Sequence, residues 1–165
     1  MKKKGIEKLF RLAYTDAMTG VLNRNAYEER LKKLRKPSAN LRDITVIVAD
    51  VDGLKEINDT YGHHTGDEAI KIVASFLETS IGEKAEIYRI GGDEFVCIAY
   101  GEVGGYISEF RDMIGFQNND VPYSLNVSVG CKSYDDSMDG IDELIKCCDR
   151  IMYEDKKRRR RLLQR

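Results

Sequence analysis

Asp50 and Asp52 close an apolar, β-branched run, Ile44–Val51, and because side chains alternate along a strand, both carboxylates point to one face. Two adjacent carboxylates invite a cation. Asp93 and Glu94 stand in the turn Gly91-Gly92-Asp93-Glu94 between two strand-like segments, so pairing of that hairpin beside the Asp50 strand would bring a third or fourth carboxylate to the same end of the sheet. Hard oxygen donors of this kind suit Mg²⁺ or Mn²⁺, which keep several waters and are commonly completed by substrate phosphates. Gly53 opens the next helix, where a missing side chain lets phosphate approach backbone N–H groups, and Lys55 adds positive charge in its first turn. The pattern is that of a nucleotide site. Acidic residues at a strand end are also often merely solvated; for Asp50 and Asp52 alone the two readings balance, and the Gly-Gly-Asp-Glu turn favours the site.

These residues need a scaffold. Ile6, Leu9, Phe10 and Ala13 recur at helical spacing, which predicts a lead-in helix over 1–15 ahead of a body over 16–165. Asp16–Arg24 reads as a turn, and Asn25 with Glu28 resembles a capping box opening a helix to about Lys36, stopped by Pro37, Ser38 and Asn40. The Ile44–Val51 run suits a buried central strand. Helices are expected at about 53–60 and, after the break Tyr61–Gly66, at about 67–80, where Ala69, Ile70, Val73, Phe76 and Leu77 share a face. Ile87–Ile90 and Phe95–Tyr100 form the hairpin, with Gly91 and Gly92 expected at positive φ. A helix at about 105–116, a strand at about 123–132 and a helix from about Asp139 complete the order α-β-α-α-β-β-α-β-α. The fold class is α+β, a mixed, largely antiparallel sheet flanked by helices, close to a split βαβ plan in which helices cover one face and the other is left for a site.

Composition sets the bounds. A chain of 165 residues that is 42% apolar is ordinary for one globular domain. The net charge of -1 gives no warrant for bulk attraction to nucleic acid or membrane, although residues 156–165 carry seven basic and no acidic side chains. That run is read as a solvated helix end complementing the helix dipole, with phosphate contact for one or two members. Ile44–Ala49, the longest apolar stretch, is far short of a membrane span, and no apolar segment of a secretory signal follows Met1-Lys-Lys-Lys. Cys97, Cys131, Cys147 and Cys148 lack CxxC spacing and read as buried thiols in a reducing compartment, so the expected location is cytoplasmic. His63 and His64 lack a second pair and stay outside the site.

Arg89-Ile-Gly-Gly-Asp-Glu-Phe95 resembles the signature of the GGDEF family, the diguanylate cyclases. Asp16–Arg24 is similar to the family's opening turn, Asp50-Val-Asp-Gly-Leu-Lys-Glu-Ile-Asn-Asp59 to its DxDxFKxxND segment, and Tyr61–Asp67 to its GHxxGD segment. Ser128-Val-Gly130 and Ile151-Met-Tyr153 followed by Lys156 resemble later landmarks, so the resemblance runs from about 14 to 161. It implies a nucleotidyl-cyclase or palm-like fold with a ferredoxin-like core, and condensation of two GTP into cyclic di-GMP with release of pyrophosphate. It further implies that Asp50, the Val51 carbonyl and Asp93 hold Mg²⁺ or Mn²⁺, and that Asp93, or Glu94 beside it, helps deprotonate the attacking 3′-hydroxyl. Asn58 and Asp67 would read the guanine edge. Gly53, Leu54 and Lys55 would meet the phosphates, with Lys55 stabilising their charge, and Lys156 and Arg160 would reach the terminal phosphates. A carboxylate at Asp67 accepts from guanine N1–H and N2–H and repels the lone pair on adenine N1.

Leu54 stands where the family usually has Phe, and Asp155, Arg159 and Arg161 where Ala, Gly and Asn are typical. Gly82 and Ala85 occupy the positions of the family's inhibitory RxxD pair, which implies that this product-binding site is absent. Two other readings stand beside the cyclase: a degenerate GTP-binding regulatory or interaction module, and a polymerase-like palm fragment with no room for template-binding domains. The expected partners are GTP, a second copy of the chain, because one guanine pocket holds one of two reacting nucleotides, and a sensor domain upstream in a longer parent.

Overall fold

The Ile44–Val51 run forms the central strand β1 (Ile44–Asp52), buried along its length up to Asp52. The computed structural model describes residues 9–163; of the expected lead-in helix, 9–14 are helical and 1–8 lie outside the described residues. Strands β2 (Ala85–Arg89), β3 (Glu94–Tyr100) and β4 (Asn126–Ser133) join β1 in the order β2-β3-β1-β4. All three pairings are antiparallel, so β1 and β2 run parallel with β3 inserted between them, which is the split βαβ plan. Among the described residues the parallel component is confined to the isolated Leu22–Tyr88 bridge.

Beyond the helical stretch at 9–14, the described residues form the helices α1 (Arg24–Leu34), α2 (Leu54–Tyr61), α3 (His63–Ile81), α4 (Gly104–Gln117) and α5 (Gly140–Leu163), which pack on this sheet. The alternation of β1 divides the core. Ile47, Ala49 and Val51 pack with Ala69, Ile70, Val73 and Leu77 of α3 and Phe110 and Ile114 of α4. Ile44, Val46 and Val48 pack with Tyr27, Leu31 and Leu34 of α1 and Ile141, Leu144 and Cys148 of α5. Helices therefore cover both faces, which corrects the expectation of one open face: the apolar stripes of α1 and α5 need a partner, and the second face of the sheet supplies it. Gly130 lets α5 lie directly on β4, since a Cβ there would fall 2.0 Å from the Cys148 carbonyl oxygen.

Three boundaries differ from expectation for local reasons. Asn23, not Asn25, caps α1, its side chain accepting from the Ala26 N–H at 3.1 Å. Only Gly62, at φ +88°, separates α2 from α3, so the Tyr61–Gly66 segment is mostly helical. The last strand begins at 126 rather than 123, and Leu125 before it is held by the C-cap residue of α4: its N–H donates to Asn118 Oδ1 at 2.6 Å, and Asn118 Nδ2 donates to its carbonyl at 3.0 Å. The four cysteines are free, and burial pushes the Cys97 thiol up to about 12. Among the described residues no helix is long and apolar enough to cross a membrane.

Candidate active site

Asp50 and Asp52 leave the end of β1 on the α5 face, as their alternation requires, and there they meet Lys156. Lys156 Nζ lies 2.5 Å from Asp50 Oδ1 and 3.7 Å from Asp52 Oδ1. Ser128 Oγ, fully buried on β4, donates to Asp52 Oδ2 at 2.7 Å. Asp50 is thus a buried residue, 8% exposed, and not the solvent-facing group that a strand end suggests. Burial pushes its carboxyl above the ordinary carboxylate range, the charges of Asp93 and Asp52 add to that, and the Lys156 ammonium opposes it.

Asp93 arrives because the hairpin turn is tied onto β1: the Val51 N–H donates to the Asp93 carbonyl at 3.0 Å. Neither Gly91 nor Gly92 has positive φ, contrary to expectation. A Cβ at Gly91 would lie 2.7 Å from Glu94 Oε2, the far end of an exposed side chain. The exposed Glu94 side chain therefore folds back over the turn, while Asp93 is half-buried beside Asp50. Arg89 fixes the turn from behind, donating through Nη2 to the Gly92 carbonyl at 2.8 Å and through Nη1 to Asp16 Oδ1 at 3.1 Å. Asp16 is also held by the Thr19 N–H and hydroxyl; burial pushes its carboxyl up, but these bonds and Arg89 outweigh that and hold it below the ordinary value.

Gly53 is the N-cap of α2 at φ +70°, a left-handed conformation that favours glycine, and no side chain caps the first-turn N–H groups. Leu54 is half-buried there and Lys55 is exposed, with no ion-pair partner among the described residues. Asn58 lies against α3 at Gly66, where a Cβ would fall 1.9 Å from Asn58 Oδ1, and Asp67 is the next residue, so the α2–α3 joint brings these two half-buried polar groups to one place. Arg160, one turn beyond Lys156, lines a cavity of about 630 Å³ with Asp52, Gly53, Glu56, Tyr61, Tyr123 and Asn126. The residues named from the sequence thus form two groups: Asp50, Asp52 and Asp93 with Lys156 and Arg160 at the end of β1, and the Asn58–Asp67 pair at the α2–α3 joint.

Sequence reasoning missed three supports. Gly66 and the Arg89–Asp16 link are visible only as contacts. Asp155, singled out as a departure, is buried and accepts from the Val129 N–H at 3.1 Å, Arg111 at 3.2 Å, Arg158 at 2.5 Å and Arg159 at 3.2 Å. Burial raises its carboxyl, but these donors together outweigh that and hold it below the ordinary value. Asp155 thereby clamps α5 to the edge strand β4, immediately before Lys156.

Among the described residues no three His, Cys, Asp or Glu side chains stand ready-made around one cation position. The donor set nonetheless fits a hard divalent cation: Asp50 and Asp93 supply carboxylates beside the Val51 main chain, a cationic ammonium already sits on Asp50, and Asp52 Oδ1 is buried with no hydrogen-bond partner.

A family model described as "Diguanylate cyclase, GGDEF domain" matches residues 13–162. The chain is 30% identical over 148 residues to the diguanylate cyclase DgcS of Shewanella oneidensis, covering 87% of this chain and 50% of that protein. It is 34% identical over 149 residues to the probable diguanylate cyclase DgcC of Escherichia coli, covering 86% of this chain and 40% of that one. It therefore spans about half or less of these relatives' length. The coiled coil and GGDEF domain of DgcB from Caulobacter crescentus, solved with c-di-GMP, superimposes with a TM-score of 0.80 at 23% identity over 94% of this chain and 86% of that one, a likeness of fold.

Proposed function

The chain belongs to the diguanylate cyclase GGDEF-domain family, and on that premise we propose that it condenses two GTP into cyclic di-GMP and two pyrophosphates. The observation that carries this reading is the convergence on the end of β1 of Asp50, Asp93 and Lys156, with the open N-terminus of α2 following β1 and the Asn58–Asp67 pair at the α2–α3 joint.

In this reading Asp67 accepts from guanine N1–H and N2–H, and Asn58 bonds the same edge. Adenine presents a lone pair at N1 and leaves Asp67 unpartnered, so the pair selects the base. The N–H groups of the first α2 turn, reached over Gly53 and Leu54, take phosphate oxygens. Lys55, Lys156 and Arg160 bind the outer phosphates and stabilise the leaving pyrophosphate. Asp93 takes the proton of the attacking 3′-hydroxyl, with Glu94 as the neighbouring acceptor; the new bond joins that oxygen to the α-phosphorus as the bond to pyrophosphate breaks. Mg²⁺ or Mn²⁺ held by Asp50, the Val51 carbonyl and Asp93 would neutralise charge developing on the α-phosphate.

One Asn58–Asp67 pocket holds one guanine, so the second nucleotide comes from a second copy, and a two-fold arrangement sets each 3′-oxygen against the other α-phosphorus. The cyclase domain begins at Asp16, with the helix before it a lead-in from a sensor in a longer cytoplasmic parent. Gly82 and Ala85 leave no charged pair for product inhibition. The test is pyrophosphate release with Mn²⁺: we expect release from GTP and not ATP, and loss of release in Asp50→Asn. Binding of GTP without release would instead mark a regulatory module.

A further inference from the structure

Lys156 occupies the carboxylate oxygen that the proposed reading assigns to a divalent cation, and its surroundings offer it a second place. Nζ sits 2.5 Å from Asp50 Oδ1 and 3.7 Å from Asp52 Oδ1. A charge-assisted N–H···O bond is about 2.7–2.9 Å long, so a shift of roughly 1 Å closes the second contact. Asp52 is prepared for it. Its Oδ2 is fixed by Ser128 Oγ at 2.7 Å, Ser128 is itself fully buried, and its Oδ1 is buried without a hydrogen-bond partner. The main chain under Lys156 is held in place because Asp155 is bonded to the Val129 N–H, so the exchange falls to the flexible four-carbon stem.

We propose that Lys156 is a resident counter-cation that passes from Asp50 to Asp52 when Asp50 takes up a divalent cation, and that Asp52, oriented by Ser128, is the positioning residue for that exchange. The inference rests on the cyclase reading for the cation at Asp50 and goes beyond it in giving Asp52 and Ser128 a role. Before a cation enters, Lys156 offsets the repulsion among Asp50, Asp52 and Asp93, three carboxylates brought to one strand end. Once on Asp52 it no longer shares an oxygen with the entering cation, and its ammonium stays at the site, available to the outer phosphates of the nucleotide. Without Asp52, Lys156 has only Asp50 and competes for it fully.

The test is Mn²⁺ binding to the full chain without nucleotide, read by electron paramagnetic resonance of the free ion, over the cycle of wild type, Lys156→Met, Asp52→Asn and the double variant. Removing the competitor should tighten Mn²⁺ binding by about tenfold, and Asp52→Asn should cost about tenfold more affinity with Lys156 present than in the Lys156→Met background. Ser128→Ala, a milder change that leaves both carboxylates, should lose affinity in the same background-dependent way, with thermal melts confirming folded protein. Equal losses in the two backgrounds would make Asp52 a direct ligand and overturn the proposal, as would unchanged affinity in Lys156→Met. Absence of Mn²⁺ binding in every variant would overturn both the proposal and the metal assignment beneath it, whereas equal losses overturn the proposal alone.

Discussion

Replacing Asp155 by alanine removes the group that fastens α5 to β4. The Asp155 side chain is 4% exposed and accepts from the Val129 N–H, Arg111, Arg158 and Arg159. In Asp155→Ala the buried Val129 N–H is left without its acceptor, at a cost of about 1–3 kcal/mol. Side chains of Arg158, Arg111 and Arg159 are 67%, 39% and 27% exposed, so solvent screens much of what they contribute and about 1 kcal/mol in total is reasonable. The sum is about 2–4 kcal/mol, which for a domain of this size lowers Tm by roughly 5–15 °C. Asp155→Asn keeps an oxygen for Val129 and should cost only about half as much. Because the folded carboxyl lies below its ordinary value, its stabilisation is present above the unfolded pKa and is lost as pH falls through the folded one. The gap between wild type and Asp155→Ala should therefore be flat from neutral pH down to about pH 4 and narrow below it. Thermal melts followed by circular dichroism at several pH values measure this. A Tm for Asp155→Ala within about 2 °C of wild type at neutral pH would show that Asp155 does not fasten α5 to β4.

Arg89→Ala frees the Gly92 carbonyl and Asp16 together, and should lower pyrophosphate release by about tenfold or more while the chain stays folded; unchanged release would separate the turn from the chemistry. Gly66→Ala forces Asn58 from its seat, 1.9 Å from the new methyl, and should raise KM for GTP by about tenfold and weaken discrimination against ATP, as steady-state kinetics with both nucleotides will show. Specific activity should rise with enzyme concentration, and a coiled coil fused ahead of Ile6 should raise it at low concentration; strict proportionality of rate to enzyme over two decades, from a chain shown monomeric by sedimentation, would rule out the two-copy mechanism. Added cyclic di-GMP should inhibit weakly and only competitively with GTP, given Gly82 and Ala85, so noncompetitive inhibition at low concentration would contradict that reading.

Alternation along β1 was enough to place Asp50 and Asp52 on one face, and the run Arg89–Phe95 to place Asp93 near them. Which face that was, and what covered it, depended on the partner of α5, a choice of tertiary packing that no local pattern encodes. Asp50 therefore proved buried under Lys156 rather than solvent-facing. The glycines show the same division. Positive φ, expected at Gly91 and Gly92, is found instead at Gly53 and Gly62, while Gly66 and Gly130 are crowded by atoms of residues on other elements that no local pattern reveals. Asp155 was legible as a departure and not as a clamp, because the donors that tie it to other elements, the Val129 N–H and Arg111, come from β4 and α4, distant in sequence.

Whether the chain is a cyclase is decided by incubating it with GTP and Mg²⁺ or Mn²⁺ and identifying the product by chromatography. Cyclic di-GMP is expected, with two pyrophosphates released per product, and none from Asp93→Asn. GTP recovered intact, or converted to GDP and phosphate without a cyclic dinucleotide, would contradict it.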